Sequence, residues 1–173
     1  MKAVVFAGFS GSGKTTLLEQ LIPLLKQQGL RVSVAKHAHH RFDIDQPGKD
    51  SWRHRQAGAF EVVIASDLRL ALVREFEQPE RLSVHALIAE LSPAVDWVLV
   101  EGFKTSELPK IEVWRAASGQ PVQYPEDVCI VAIATDSPLP SPSALPVLDI
   151  NHPVAVVAWL QQHAALFEYQ APV

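Results

Sequence analysis

Short apolar runs alternate with amphipathic stretches along most of the chain, which is the pattern of strands alternating with helices. Residues 4–7 form a continuous apolar run that stops at a glycine-rich turn, as expected of a strand buried on both faces of a parallel sheet. Leucines then recur at helical spacing over residues 14–28, and Gly29 follows where a helix ends. The same criteria predict strands at 32–36, 97–100, 110–114 and 128–134, and helices at 51–57, 82–91 and from Asn151 to about residue 165.

Two regions depart from this strict alternation. The β-rich runs at 60–65 and 69–73 are separated by Ser66 and Asp67, which predicts a hairpin, and the strand at 110–114 is the second departure. We expect both to belong to an antiparallel excursion at an edge. The whole pattern predicts an α/β fold in one domain over residues 1–173, a three-layer sandwich with a mostly parallel sheet and helices on both faces.

The turn after the first strand carries the strongest chemical signal. Residues 8–15 read Gly-Phe-Ser-Gly-Ser-Gly-Lys-Thr and match the phosphate-loop pattern G-x-x-x-x-G-K-[ST] at every fixed position, between a strand and a helix. The glycines let backbone N–H groups converge on a phosphate, and the helix N-terminus adds partial positive charge. The candidate phosphate-binding residues are Ser10, Gly11, Ser12, Gly13, Lys14, Thr15 and Thr16.

An acidic residue at the end of a neighbouring strand usually completes such a loop by holding Mg²⁺. Glu101 ends the strand at 97–100 and is the first candidate, with the hydroxyl of Thr15 as the second metal-binding group. Asp43 and Asp45 form an alternative pair for Mg²⁺ or for positioning water, and solvated loop acids are an equally plain explanation of them. Lys14, Glu101 and Asp43 are therefore the predicted catalytic residues.

A histidine cluster follows the second strand, with His37, His39 and His40 between Lys36 and Arg41. Tetrahedral zinc usually needs a second pair of ligands, and the sole cysteine lies in a different predicted strand. An anionic ligand is favoured over zinc, because open α/β sheets bind ligands at the carboxyl ends of their strands. Exposed loop histidines are the remaining alternative.

Asp136 follows the last core strand and is the candidate residue for recognising a base. A carboxylate can accept hydrogen bonds from guanine N1–H and from its exocyclic amine, a pair that adenine does not offer. The usual Asn-Lys-x-Asp signature is absent, and a turn-capping aspartate is the alternative interpretation.

The composition and net charge of the chain limit the classes of partner that it can bind. The 173 residues carry a formal net charge of −4, which disfavours bulk nucleic-acid binding, although residues 31–55 hold six basic and three acidic side chains. That local excess suggests a small anionic ligand. The single cysteine excludes an internal disulfide, no apolar run is long enough for a membrane span, and no signal-peptide pattern is visible. We therefore expect a cytoplasmic protein.

Taken together, these motifs resemble the GTP-binding adapter family of molybdopterin-guanine dinucleotide biosynthesis (MobB). The resemblance covers nearly the whole chain and rests on the phosphate loop at 8–16 together with more specific segments. Those segments are Lys-His-Ala-His-His at 36–40, Asp-Ile-Asp-Gln-Pro-Gly-Lys-Asp-Ser at 43–51, Ala-Gly-Ala at 57–59, Val-Glu-Gly-Phe-Lys at 100–104 and Ala-Thr-Asp at 134–136.

The resemblance implies a P-loop protein that forms a homodimer, binds GTP with Mg²⁺ and hydrolyses GTP weakly. It implies that the protein assists the guanylyltransferase that attaches GMP to molybdopterin. Carried over to this chain, the resemblance implies that the loop binds the phosphates, that Thr15 and Glu101 bind Mg²⁺, and that Asp136 recognises guanine. It makes the histidine cluster and the segment from Lys49 to Ser51 candidates for a pterin phosphate or a second anion.

Two other functions compete with the adapter. A small-molecule kinase would use the basic patch to hold an acceptor hydroxyl compound beside the γ-phosphate, but the chain has no arginine-rich lid segment. A structural module with a vestigial loop would have no nucleotide affinity. Slow hydrolysis is expected because no Asp-x-x-Gly follows the acid-bearing strand, which continues as Glu101-Gly102, and no obvious glutamine is placed to orient water. An arginine from a second subunit could complement the site.

Overall fold

The computed structural model describes residues 1–38 and 42–172. In this part of the chain the helices are α1 (Lys14–Gln27), α2 (Asp50–Gln56), α3 (Val84–Ala89) and α4 (Pro153–Gln162). The strands are β1 (Lys2–Ala7), β2 (Val32–Lys36), β3 (Glu61–Ala65), β4 (Leu70–Arg74), β5 (Trp97–Glu101), β6 (Lys110–Val113), β7 (Ile130–Thr135) and β8 (Val147–Asp149).

The described residues fall into two compact units. The first combines residues 1–37 with 83–172 and contains a six-stranded sheet in the order β2-β5-β1-β6-β7-β8, in which every pairing is parallel. The second, within residues 38–82, contains α2 and the antiparallel hairpin β3–β4. The predicted α/β class with an antiparallel excursion is confirmed. That one domain spans residues 1–173 stays a prediction.

The parallel sheet of the first unit is covered on both faces. Val4 and Phe6 of β1 join the core formed with α1 and α4, whereas the alternate residues Ala3, Val5 and Ala7 join the core formed with α3. Because both faces are apolar, strands β1 and β5 show no alternation of polar and apolar residues. The carboxyl ends of all six strands lie along one edge of this sheet, which is where the loops with candidate functional residues begin.

Strand β6 lies in the middle of the sheet, between β1 and β7, so the expectation of an antiparallel edge at 110–114 is wrong. The strand carries two charged residues, Lys110 and Glu112, which are both buried and both satisfied. The Lys110 ammonium lies 2.7 Å from Asp127, and the Glu112 carboxylate accepts hydrogen bonds from the backbone N–H groups of Gln123 and Tyr124. Burial raises the pKa of Glu112 even though those N–H donors oppose the shift.

Several local expectations need correction. Helix α2 begins at Asp50 and α4 at Pro153, and their N-cap residues, Lys49 and His152, make no side-chain cap. Helix α3 begins later than expected, because Ser83 caps it by accepting a hydrogen bond from the backbone N–H of Ala86, and it ends at Ala89. Cys129 precedes β7 instead of lying within it. Strand β8, which the sequence pattern does not predict, comes directly after the proline-rich segment at 138–146.

Candidate functional site

The phosphate loop runs from the end of β1 to the start of α1 and depends on positive φ angles at Gly8, Gly11 and Gly13. Gly8 is the tightest position, because a β-carbon there would lie 2.3 Å from the Val113 carbonyl oxygen and 2.9 Å from Ser12 Oγ. Gly13 is the N-cap of α1 and accepts the first helical hydrogen bond, from the Leu17 N–H at 2.9 Å. The loop is therefore held against β6 while its backbone leads into a helix N-terminus.

Lys14 folds over the loop that carries it. Its ammonium donates to the carbonyl oxygens of Gly8 at 3.0 Å and Phe9 at 2.7 Å, and lies 3.4 Å from Ser12 Oγ. Burial lowers the pKa of Lys14, the positive charges of Lys36 and Lys104 lower it further, and Glu101 opposes them. Several positive charges thus converge on the loop.

Glu101, Thr15 and Lys36 meet at the carboxyl end of β5. The Thr15 hydroxyl donates to Glu101 Oε1 at 2.7 Å, and the Lys36 ammonium lies 3.1 Å from the same oxygen. Strand register explains the second contact, because Glu101 pairs with Lys36 of β2 on one side and with Phe6 of β1 on the other. The structure therefore brings together the predicted pair Thr15 and Glu101, two hard oxygen donors of the kind that Mg²⁺ prefers.

Asp136 lies at the end of β7, where the sequence places it, but its carboxylate is occupied. Arg115 contacts Asp136 Oδ2 through Nε at 2.7 Å and through Nη2 at 2.6 Å, and the Ser137 hydroxyl donates to Oδ1 at 2.8 Å. These contacts, led by that of Arg115, lower the pKa of Asp136. The Arg115 side chain also lies beside the phosphate loop, since its Cδ is 3.8 Å from where a β-carbon on Gly13 would be.

The histidine cluster is only partly described. The His37 ring packs edge-on against Phe103, with centroids 5.0 Å apart, and its backbone N–H donates to the Glu101 carbonyl at 3.0 Å. The end of β2 therefore places His37 beside the acid of the phosphate site. His39 and His40 lie outside the described residues.

Asp43 and Lys49 belong to the second unit, where the half-buried Arg55 organises the acids. Arg55 contacts Asp45 at 3.0 Å, Asp43 at 2.9 Å and also Glu75. Hydrogen bonds from the Asp45 N–H and from Arg55 lower the pKa of Asp43. A carboxylate held ionised in this way is a weak general base. The catalytic role of Asp43 and the anion role of Lys49 stay predictions.

The ion pairs of Arg55 change the interpretation of the basic stretch at 31–55. Arg55 contributes to the local charge excess in the sequence, yet in the fold three carboxylates neutralise it. One of these, Glu75, is 20 residues away along the chain, so the sequence count of nearby acids does not include it. Among the described residues there is no group of three or more histidine, cysteine or acidic side chains arranged to hold a metal ion.

Two positively charged residues near the phosphate loop were missed by sequence reasoning. Arg115 was missed because the expected antiparallel edge would have placed it away from the ligand-binding ends of the strands. Lys104 lies with its ammonium 4.7 Å from the centre of the Phe9 ring. Both residues lie within three positions of the end of a parallel strand, and this shared position could have identified them from the sequence.

Comparison with known proteins settles the family. The profile of the family described as "MobB: Molybdopterin guanine dinucleotide synthesis protein B" matches residues 3–136. The chain is 42% identical to the molybdopterin-guanine dinucleotide biosynthesis adapter protein of Escherichia coli, over 92% of this chain and 93% of the relative. The chain belongs to the MobB family.

Other MobB proteins agree with this assignment. The adapter protein of Haemophilus influenzae is 46% identical, over 83% of this chain and 79% of its own length. The crystal structure of Bacillus subtilis MobB, 25% identical, superposes with a TM-score of 0.72 over 98% of this chain and all of that chain. The predicted adapter family and P-loop-like α/β fold are confirmed, and the kinase alternative receives no support from these relatives. None of the helices in residues 1–38 and 42–172 is long and apolar enough to cross a bilayer.

Replacing Gly8 with alanine is expected to destabilise the protein by about 3 kcal/mol, because the new methyl group meets the Val113 carbonyl and adds strain at a positive φ. Gly11→Ala is the matched control, since its φ is also positive but nothing lies within 4 Å of the added carbon. That variant should lose only about 1 kcal/mol. Urea unfolding of both variants measures the difference, and equal losses would show that the contact with β6 does not constrain the loop.

Proposed function

We propose that this MobB protein is a cytoplasmic, homodimeric adapter that binds GTP and Mg²⁺ in its phosphate loop and hydrolyses GTP slowly. In this role it assists the guanylyltransferase that attaches GMP to molybdopterin. Family membership supports the biosynthetic role. The single cysteine, Cys129, is consistent with a reducing compartment because it leaves no pair for an internal disulfide.

The observation that carries the proposal is the meeting of the phosphate loop with Glu101. The loop offers the backbone of residues 10–16, a helix N-terminus and the Lys14 ammonium to an anion, and Glu101 lies 2.7 Å from the Thr15 hydroxyl. The Lys14 ammonium donates to carbonyl oxygens of the loop, and a rotation of its side chain is enough for it to donate to phosphate oxygens instead. This combination is what a nucleoside triphosphate requires.

Thr15 and Glu101 fit a magnesium ion by their chemistry, because a hydroxyl and a carboxylate are hard oxygen donors on neighbouring elements. Bound Mg²⁺ would neutralise charge on the β- and γ-phosphates. The Lys36 ammonium, 3.1 Å from the Glu101 carboxylate, limits the negative charge of this pair and holds the carboxylate in place.

Slow hydrolysis is supported by the residues that come directly after Glu101. These are Gly102, Phe103 and Lys104, so the strand end carries no Asp-x-x-Gly segment, and a water-orienting glutamine is not evident in the sequence. Lys14 and Lys104 can stabilise charge on a phosphate, but neither can act as a base while protonated. Faster turnover would then depend on a group from elsewhere, such as an arginine from a second subunit.

Guanine recognition by Asp136 requires that the base replace an arginine. Arg115 presents two N–H donors to one oxygen of Asp136, and guanine presents two N–H donors of its own. Because Arg115 also lies beside Gly13, its release leaves a positive charge next to the nucleotide. We propose that this exchange selects guanine over adenine.

The second anion, a pterin phosphate, is proposed to bind the histidine cluster and Lys49. His37 is the described histidine of this cluster, and it contacts Phe103 and the backbone of Glu101. The roles of His39, His40 and Lys49 rest on the sequence pattern alone.

The hairpin β3–β4 supports the proposed homodimer. A two-stranded sheet is marginally stable on its own, and this one is paired to no third strand within the described residues. The strand register places Val63 opposite Leu72, and Ala65 opposite Leu70, on one face. Val63 and Leu70 expose more than half of their surface. A second copy of this hairpin packed on this face would cover these side chains, and one added at an edge would pair the backbone groups left open there.

Changing Lys14 to alanine is expected to weaken GTP binding at least about 30-fold, because an ammonium held in the loop is lost. In a reconstituted assay, wild-type protein should increase the yield of molybdopterin-guanine dinucleotide made by the guanylyltransferase, and K14A should not. The control is Lys26→Ala, an exposed lysine in the last turn of α1. A stimulation that K14A retains in full would refute the role of nucleotide binding in the adapter.

The Asp136→Asn variant should lose about tenfold or more of its preference for GTP over ATP, because an amide cannot accept both guanine N–H groups. Asp96→Asn is the matched control, since Asp96 precedes β5 at the opposite end of the sheet and accepts a hydrogen bond from the Arg31 N–H. Calorimetric titration of both variants with both nucleotides gives the ratio. An unchanged ratio in D136N would remove this residue as the reader of the base.

Substituting Leu72 with glutamate should convert a dimer into a monomer, because it places a charge on the apolar face of the hairpin. Val154→Glu, at an exposed position of α4, is the control and should remain dimeric. Light scattering coupled to size-exclusion chromatography measures the mass. A wild-type protein that is monomeric at all concentrations, or an L72E variant that stays dimeric, would contradict the assignment.

A further inference from the structure

Lys104 lies beside the phosphate loop although it is not part of it. It is three residues beyond Glu101, the last residue of β5, and its ammonium is 4.7 Å from the centre of the Phe9 ring. Phe9 is the second residue of the phosphate-loop motif. An exposed contact between a cation and an aromatic ring contributes only about 0.5–1 kcal/mol, so it positions the ammonium without fixing it.

The backbone that presents Lys104 is strained. Gly102 has a φ of 98°, and a β-carbon there would lie 3.2 Å from the Cβ of His37. Phe103 has a φ of 49° and is the only non-glycine residue with a positive φ among residues 1–38 and 42–172. A large side chain in this conformation costs about 1–3 kcal/mol and persists only where its surroundings hold it.

Two contacts hold that conformation. The Phe103 ring packs against His37, and the Phe103 carbonyl accepts a hydrogen bond from the Ser106 N–H at 2.9 Å. The turn therefore directs the chain from the end of β5 towards the phosphate loop at an energetic cost. Strained backbone of this kind is concentrated at functional sites.

The charges around the loop are not balanced. Lys36 is paired with Glu101, whereas Lys104 makes no ion pair with any described residue. The charge of Lys104 reaches Lys14, whose pKa it helps to lower. The positive charges of Lys104 and Lys14 repel each other, and a polyanion bound between them would relieve the repulsion.

We propose that Lys104 binds the terminal phosphate of a nucleoside triphosphate and so makes the site discriminate between triphosphate and diphosphate. The inference rests on the proposed function, because it requires a nucleotide in the phosphate loop. In such loops the backbone N–H groups cradle the inner phosphates and the loop lysine reaches the β- and γ-phosphates, so Lys104 would add a second positive charge at the terminal phosphate alone. Lys104 follows the strand that carries Glu101, the proposed Mg²⁺ ligand. Because Mg²⁺ bridges the β- and γ-phosphates, the γ-phosphate would lie on the side of the loop that faces this strand end.

The test compares the affinities of variants for GTP and GDP in the presence of Mg²⁺. Lys104→Met removes the charge but keeps an unbranched side chain over Phe9, and it should weaken GTP about tenfold or more while changing GDP affinity less than about threefold. Lys104→Arg should restore most of the GTP affinity. Lys26→Met is the control for loss of a lysine elsewhere and should bind both nucleotides as the wild type does.

The outcomes separate this inference from the proposed function. If wild-type protein binds neither nucleotide, the proposed function fails and the role of Lys104 fails with it. If wild-type protein binds both and K104M keeps the wild-type ratio of GTP to GDP affinity, only the role of Lys104 is overturned. Equal weakening of GTP and GDP by K104M would also overturn it, because a residue that contacts only the terminal phosphate cannot affect the diphosphate equally.

Discussion

The Val113 carbonyl lies so close to Gly8 that a β-carbon at that residue would be 2.3 Å from the carbonyl oxygen. This contact joins the end of β1 to the end of β6 and fixes where the phosphate loop leaves the sheet. From there the loop curls through Gly11 and Gly13 into α1, whose buried leucines pack it onto the core. The orientation of the loop N–H groups and of Lys14 therefore depends on one close backbone contact that only glycine permits.

The carboxyl edge of the sheet concentrates charge around this loop in separate pairs. Glu101 is held by Lys36 and Thr15 at the end of β5, and Asp136 is held by Arg115 at the end of β7. Each pair already satisfies charges that a nucleotide and its metal would meet, so the proposed binding would require an exchange of partners. A protein organised in this way is suited to holding a nucleotide for another enzyme more than to rapid turnover.

Much of this arrangement could be predicted from the sequence, because the signals involved are local. The glycines and the lysine of the loop adjoin one another, and Glu101 and Asp136 each come after an apolar run that reads as a strand. Strand order is different, since it depends on contacts between distant residues. The edge position of β6 was expected because this strand departs from the alternation of strands and helices. The neutralisation of its Lys110 and Glu112 by Asp127 and by backbone N–H groups becomes visible only in the fold.

The same limit applies to the parts of the site that sequence reasoning missed. Arg115 is a lone arginine until β6 is placed beside β1, and the strain at Phe103 has no signature in the residue itself. Arg55 is the opposite case. Its charge contributed to the predicted anion site, but in the fold three carboxylates pair with it. A count of charged residues does not show which of them are paired in the fold, whereas the binding of an anion depends on the unpaired ones.

The central claim is that the phosphate loop binds a guanine nucleotide together with a metal held by Thr15 and Glu101. Titration calorimetry of wild-type protein with GTP and with ATP, each with and without Mg²⁺, tests it most directly. The account predicts one GTP per chain, tighter binding when Mg²⁺ is present, and weaker binding of ATP. Binding of GTP and ATP with equal affinity and no dependence on Mg²⁺, or no binding of either, would contradict it.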